Sequence, residues 1–189
     1  MALYAWIKMK KTTLDIEGLL YFEPTRFEDA RGFLYERYNS ATLSTLGVQF
    51  IQQNVSVSKQ GVLRGMHWQY PPYAQGKLVT CLHGEIFDVA VDIRLNSPTF
   101  GKHAAVRLSG AQGNSLWIPK GFAHGFQVLT NEAVVTYSVD AVFAPDHASE
   151  FNPLDKDLNI QWPIVSPILS EKDRDAAPFA SQESSKLFS

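Results

Sequence analysis

The stretch Ile86-Phe87-Asp88-Val89-Ala90-Val91-Asp92-Ile93-Arg94 decides the fold class. It alternates with period two, so Phe87, Val89, Val91 and Ile93 share one face while Asp88, Ala90, Asp92 and Arg94 share the other. Shorter runs that also read as strands lie at Gln53 to Val57, Gly76 to Leu82, His103 to Leu108, Ser115 to Ile118, Phe126 to Leu129 and Ala133 to Val142. Turn signals stand between them: Lys59-Gln60-Gly61, His83-Gly84, Asn96-Ser97-Pro98, Gln112-Gly113-Asn114 and Thr130-Asn131-Glu132. Short strands at this spacing predict an all-β domain, an antiparallel sandwich or barrel. One short helix is expected over Ser40 to Leu46, capped by Asn39 or Ser40 and stopped by Gly47. From Ala144 onward, Pro, Asp and Ser predict a tail of loops and short helical turns wrapped on the barrel, with Ser181 to Ser189 disordered. With no repeat or linker in the chain, residues 1–189 read as a single domain.

The bulk composition narrows the function classes. With 189 residues, 45% of them apolar, the chain can bury a sizeable core. The formal charge of −2 and the lack of a long basic run argue against nucleic acid as a partner. The single cysteine, Cys81, lies in the apolar run Leu78 to Leu82 and reads as a small buried hydrophobe. One thiol cannot form an internal disulfide, which suits a reducing cytoplasm. In Met1 to Lys11 the apolar patch Leu3 to Ile7 precedes the lysines, the reverse of a secretory signal, and no run is long enough for a membrane helix. A cytoplasmic protein with no membrane partner is expected.

The chemistry concentrates in Gly61-Val62-Leu63-Arg64-Gly65-Met66-His67-Trp68-Gln69, with Lys77 ten residues after His67. A guanidinium, an imidazole and an ammonium stand between segments that read as buried strand, and an interior tolerates such groups only when they are paired or used. His67 alone is as readily structural as catalytic. Its company raises it: Arg64, Lys77, and a second histidine in Pro119-Lys120-Gly121-Phe122-Ala123-His124-Gly125-Phe126. In a barrel, distant strands can aim such groups into one cavity. Asp88 and Asp92 read either as a solvated face or as a charged cavity wall. His83, His103 and His147, at turns and strand edges, are expected in solvent. Tyr137 within its strand is ordinarily packing, and Ile168 to Asp175 is ordinarily solvated charge. A mononuclear metal site on such a barrel wants two histidines one residue apart, and Gln69 stands where the second would be. No metal is expected.

These residues, with the ordered runs Asp29 to Phe33, Gly61 to His67, Pro71 to Lys77, Phe87 to Arg94, Ser97 to Gly101, Trp117 to Pro119, Gly121 to Phe126 and Leu169 to Asp173, resemble the dTDP-4-dehydrorhamnose 3,5-epimerase family. The resemblance covers about Leu14 to Phe179. It implies a cupin-like jelly roll without metal or cofactor, a homodimer with nucleotide contacts across subunits, and a dTDP-linked 4-keto-6-deoxyhexose as substrate. By the same resemblance His67 is the general base, Asp173 the carboxylate that orients it, Lys77 the enolate stabiliser and Tyr137 the acid on the opposite face. Arg64 matches a diphosphate ligand and Arg31 the arginine that reaches the neighbouring subunit's nucleotide. Phe27, Glu36, Gln52, Asn54 and His124 match further substrate-pocket positions.

The chain also departs from the pattern. Ala148 stands where double epimerases commonly carry a glutamate, Asn152-Pro153-Leu154-Asp155 resembles relatives that epimerise C3 only, and Met66 and Trp68 flank the base unusually. Inversion of C3 alone and of C3 with C5 both stay open. Two readings of other kinds remain beside the epimerase: a metal-dependent cupin enzyme, and a binding module that keeps the sugar-nucleotide pocket without catalysis.

Overall fold

The computed structural model describes residues 9–189, so most of the leading segment read above, through residue 8, lies outside the described residues. The chain runs through β1 (Met9–Thr13), β2 (Leu20–Pro24), β3 (Arg26–Asp29), β4 (Gly32–Tyr35), α1 (Ser40–Leu43), β5 (Gln52–Lys59), β6 (Leu63–Gln69) and β7 (Lys77–His83). It continues with β8 (Glu85–Asp92), β9 (His103–Ser109), β10 (Ser115–Ile118), β11 (Phe122–Val128), β12 (Glu132–Val139), β13 (Ala148–Glu150) and α2 (Glu171–Arg174). Two antiparallel sheets face each other, six strands in the order β1-β2-β10-β7-β12-β5 and five in the order β13-β6-β11-β8-β9, with β3-β4 as a separate hairpin. This is an antiparallel sandwich as the strand spacing predicts, and the cupin-like jelly roll that the resemblance implies. Among the described residues no helix is long and apolar enough to cross a membrane.

The helix expected over Ser40 to Leu46 is one α-turn, α1, followed by a 3-10 turn over Ser44–Leu46. The Asn39 side chain accepts the Ala41 N–H, and Gly47 ends the segment in the left-handed region at φ 69°. The turn carries Leu43 onto Phe22, Leu78 and Trp117, closing the outer face of the larger sheet there. Between the sheets, Val79, Leu116 and Val135 meet Ile86, Ala90, Leu108 and Phe126.

The alternation of β8 holds, but both faces are largely covered, with Phe87 half-buried. Ile86 and Ala90 lie in the core between the sheets, and the intervening Asp88 shares that inward face. On the other face Val89, Val91 and Ile93 pack with Met66 and Trp68 beneath Phe151, Leu158 and Leu187 of the tail. The tail covers this face to its end, which corrects the expected disorder of Ser181 to Ser189. Trp68 Nε1–H donates to the Lys186 carbonyl at 2.8 Å, and Phe188 bonds to β8's extension, its carbonyl accepting the Leu95 N–H at 2.6 Å and its N–H donating to the Ile93 carbonyl at 3.2 Å. A chain end bonded through its backbone to a buried strand loses the freedom of an ordinary terminus.

One glycine fixes the position of the candidate base. Gly65 has φ +122°, and a Cβ there would lie 2.6 Å from Gly125 Cα and 2.7 Å from the His124 carbonyl oxygen. Only a glycine lets β6 and β11 approach this closely, in the register that sets His67 opposite His124. Gly65→Ala is expected to cost roughly 2–5 kcal/mol, the sum of left-handed strain and backbone overlap. Urea unfolding checks this, and a loss below about 1 kcal/mol would contradict the account of this crossing.

Candidate active site

Strand alternation sorts the polar residues. On β6, Met66 and Trp68 turn outward beneath the tail, so His67 between them faces inward. On β11, His124 pairs in register with Ala90 and Phe126 with Asp88, which keeps both on the inward face. From the opposite sheet, Tyr137 lies between Asn54 and Val79 in register, and Lys77 is two residues before Val79 on the same face. The result is a cavity of about 350 Å³ at one end of the barrel, lined by Asn54, Arg64, His67, Lys77, His124, Tyr137 and Asp173 among others. Its size suits a small-molecule site.

The structure therefore brings together seven of the sequence-derived site residues. His67 Nε2 lies 2.6 Å from Asp173 Oδ1, with the histidine side chain 42% exposed and the aspartate 5%. Burial pushes the Asp173 carboxyl up, but the His67 hydrogen bond and charge, the Ser170 hydroxyl and the Gly65 N–H outweigh it and hold the group below the ordinary aspartate range. A carboxylate kept ionised beside Nε2 favours the tautomer with hydrogen on that nitrogen, which leaves Nδ1 as the proton acceptor. The reading of Ile168 to Asp175 as solvated charge is corrected at Asp173, which α2 carries into the cavity; its N–H donates to the Ser170 cap at 3.1 Å.

Lys77 is buried, and its Nζ donates to the His67 carbonyl at 3.2 Å. Burial pulls its ammonium down to about 8, with the negative charge of Asp88 opposing the shift. Asp88 and His124 form a second imidazole–carboxylate pair at 2.7 Å, both buried; Asp88 is neither a solvated face nor the cavity wall but lies behind His124, which lines the cavity. Asp92 is buried as well, held by Arg94, Ser97 and Thr99, and serves the fold rather than the cavity. Burial raises the Tyr137 phenol while the Arg64 charge opposes it, so the hydroxyl carries its proton at neutral pH. Arg64 Nε–H donates to Ser58 Oγ at 3.0 Å, which steadies the guanidinium at the cavity wall.

Four expected pocket residues do not line the cavity of the single chain. Phe27 and Arg31 sit on the β3-β4 hairpin, where Arg31 is exposed and pairs with Asp29, and Glu36 follows β4. Gln52 stands one step behind the wall: its Nε2–H donates to Asn54 Oδ1 at 3.0 Å and its Oε1 accepts the Phe143 N–H at 2.9 Å. Phe143 and Glu150 line the cavity and carried no signal in the sequence, being ordinary residues of a loop and a three-residue strand; Lys172 lines it too, from within the run Leu169 to Asp173, where the resemblance assigned it no role. The expectation of solvent for the other histidines holds at His83 but not fully at His103 and His147, which are half-buried, the latter between the rings of Tyr70 and Tyr73. Cys81 is buried and its thiol is pushed up to about 11, chiefly by burial, consistent with a packing role. Both cavity imidazoles direct Nε2 to an aspartate, and among the described residues no group of three or more His, Cys, Asp or Glu side chains is arranged to hold a metal ion.

A jelly roll with an aspartate-backed histidine, a buried ammonium and a phenol around one cavity holds the groups that proton transfer would need. A family model described as dTDP-4-dehydrorhamnose 3,5-epimerase matches residues 13–181. The dTDP-4-dehydrorhamnose 3,5-epimerase of Shigella flexneri is 48% identical over 168 residues, 87% of this chain and 93% of that protein. The Pseudomonas aeruginosa enzyme of the same name is 47% identical over 176 residues, 91% and 97% of the two chains. Among solved structures, dTDP-6-deoxy-D-glucose-3,5-epimerase from Legionella pneumophila, in complex with dTDP-4-keto-L-rhamnose, superposes with a TM-score of 0.91 at 42% identity, covering 96% of this chain and 98% of that one. A 3'-monoepimerase from Streptomyces bikiniensis, in complex with dTDP-quinovose, superposes with a TM-score of 0.83 at 35% identity, covering 88% and 86%. This chain belongs to the dTDP-4-dehydrorhamnose 3,5-epimerase family.

Proposed function

We propose that the protein is a cofactor-independent epimerase of dTDP-4-keto-6-deoxy-D-glucose, inverting C3 by proton abstraction α to the C4 ketone, in deoxysugar biosynthesis. The observation that carries this reading is the arrangement of His67 and Tyr137 on opposite sheets across one cavity, with the Lys77 ammonium against the backbone of the base. Inversion needs a proton removed from one face and returned to the other, and two sheets facing each other supply the two faces.

His67 takes the C3 proton on the ring nitrogen not bonded to Asp173, and the aspartate stabilises the imidazolium that results. The electrons of the broken C–H bond move onto the C4 oxygen, where the Lys77 ammonium offsets the developing charge. The Tyr137 phenol then gives its proton to C3 from the far side. The ketone is the electron sink, so the chain's own residues suffice. C5 is α to the same ketone and open to the same chemistry. Arg64 is the cation for the diphosphate and the hairpin residue Arg31 reaches the neighbouring subunit's nucleotide, with Phe27, Glu36, Gln52, Asn54 and His124 completing the substrate pocket.

The reading takes the 189 residues as one epimerase domain and requires a second copy. Strand β5 ends its sheet, and its outward Val55 and Val57 are exposed, as are Phe27, Phe33 and Leu34 on the hairpin that carries Arg31. A homodimer that covers these surfaces would bring Arg31 of one protomer to its partner's nucleotide. Sedimentation equilibrium showing only monomer at micromolar concentration would refute this part. The catalytic reading is tested by incubating the protein with dTDP-4-keto-6-deoxyglucose and determining the product sugar's configuration by NMR. Inversion at C3 is expected; unaltered substrate would overturn it, and the configuration at C5 separates the 3-epimerase from the 3,5-epimerase course.

A further inference from the structure

We propose that Gln69 is a positioning residue that holds the segment Ala141 to Ala144 at the cavity mouth, with Phe143 turned to the bound sugar nucleotide; the identity of that ligand rests on the epimerase reading above. In the sequence Gln69 is notable only as the residue standing where a metal-binding barrel would want its second histidine. The fold gives it another use. It lies at the end of β6, two residues from His67 on the same inward face, and lines the cavity. The side chain is buried, and both ends of its amide are committed. Nε2–H donates to the Tyr73 carbonyl at 2.7 Å and to the Val142 carbonyl at 3.1 Å, and Oε1 accepts the Ala144 N–H at 2.8 Å. Val142 and Ala144 flank Phe143, so one amide grips the backbone on either side of that ring.

The segment needs such a grip. It joins β12 to the 3-10 turn over Pro145–His147, and Phe143 lines the cavity while 60% exposed. A ring so exposed gains little from packing in the free protein, so its backbone must be held by other means. Side-chain amides do this. Gln75 Nε2–H donates to the Ala141 carbonyl at 2.7 Å, and Gln52 Oε1 accepts the Phe143 N–H at 2.9 Å. Backbone groups outside a strand or helix need partners of this kind. Gln69 makes two of these four bonds to the segment. It is also the buried one of the three glutamines, and the one on the strand of the base. A segment that occupies its binding position only about a tenth of the time weakens apparent affinity about tenfold, with no change at the reacting carbons. Loss of the clamp therefore shows in binding rather than in chemistry.

The test measures dTDP affinity by calorimetry, and KM and kcat for C3 proton exchange, in Gln69→Met, Gln69→Glu, Phe143→Ala and Gln69→Met combined with Phe143→Ala. Gln69→Met is expected to raise Kd and KM by roughly tenfold and to leave kcat within about threefold. Gln69→Glu keeps the acceptor for the Ala144 N–H but sets a carboxylate against two carbonyls, and the same loss is expected. Added to Phe143→Ala, Gln69→Met changes Kd by less than about twofold, because the ring it positions is gone. Wild-type affinity in Gln69→Met overturns the proposal; where that variant does not fold, wild-type affinity in Gln69→Glu overturns it. So does an equal loss with and without the Phe143 ring, which would make Gln69 a ligand of the nucleotide itself. A loss confined to kcat also overturns it, tying Gln69 to the base instead of the mouth. Wild-type protein that binds dTDP without C3 exchange overturns the epimerase reading, and the affinity measurements still decide the role of Gln69.

Discussion

His67→Ala is expected to lower epimerisation by roughly a hundredfold to ten-thousandfold, the range that a positioned acid or base contributes, while dTDP binding persists. The reasoning starts from the cavity. His67 is the imidazole whose ring is partly open to it, whereas His124 is buried against Asp88. Removing the ring abolishes the acceptor without touching Arg64, which is held by Ser58. It also strips the buried Asp173 of its partner, so some loss of stability accompanies the loss of rate. His67→Gln separates the two effects: its amide nitrogen reaches the Nε2 position and can still donate to Asp173 but cannot accept a carbon-bound proton at neutral pH. Both variants are expected to show that loss of rate, with the glutamine form the more stable, as read by exchange kinetics and thermal unfolding. Retention of the wild-type exchange rate in either variant would remove His67 from the mechanism.

Lys77→Met is expected to lower kcat by about a hundredfold to a thousandfold, the usual cost of removing one donor at a developing oxyanion. Methionine fills a similar volume without the charge, so the sheet register around Val139 should survive. The wild-type pH profile carries the same signature. Because burial lowers the ammonium to about 8, the charged form is lost as pH rises through that value, and kcat/KM falls above it. Stability responds with the opposite sign. In the unfolded chain this lysine titrates at 10.5, so between about pH 8 and 10.5 the unfolded state binds more protons than the folded one, and this group's contribution to stability rises with pH. Activity falling while this contribution to stability grows is an uncommon pairing. A rate that stays flat from pH 7 to 9.5 would show that the ammonium is not required.

Much of the architecture was readable because alternation is a local signal. Ser115–Ile118 matches the expected strand, and β5, β7, β9 and β12 match theirs to within a few residues. β6 was not read as a strand because Arg64, Gly65 and His67 interrupt its pattern, which is also why it drew attention as chemistry. The two-sided burial of β8 could not be read locally, since its outer cover comes from Phe151, Leu158 and Leu187 far downstream. The site divides in the same way. Arg64, His67 and Lys77 stand out as charged or titratable groups between apolar runs. Asp173 looks like any member of a charged run until α2 folds it into the cavity, and only the family resemblance singled it out. Glu150 and Phe143 had neither signal, and Lys172 lay in the resembling run Leu169 to Asp173 with no role assigned, because their place depends on a tail whose course no short-range rule predicts. The hairpin residues Phe27 and Arg31 do not line the cavity of the single chain, and only the family resemblance pointed to them.

The most direct test of acid–base epimerisation is the fate of the substrate's carbon-bound hydrogens in deuterated water. With dTDP-4-keto-6-deoxyglucose and the wild-type protein, NMR is expected to show deuterium entering at C3, with C5 following if the protein inverts both centres. Deuterium at neither carbon would contradict proton abstraction and leave the cavity as a nucleotide-sugar binding site on an epimerase fold.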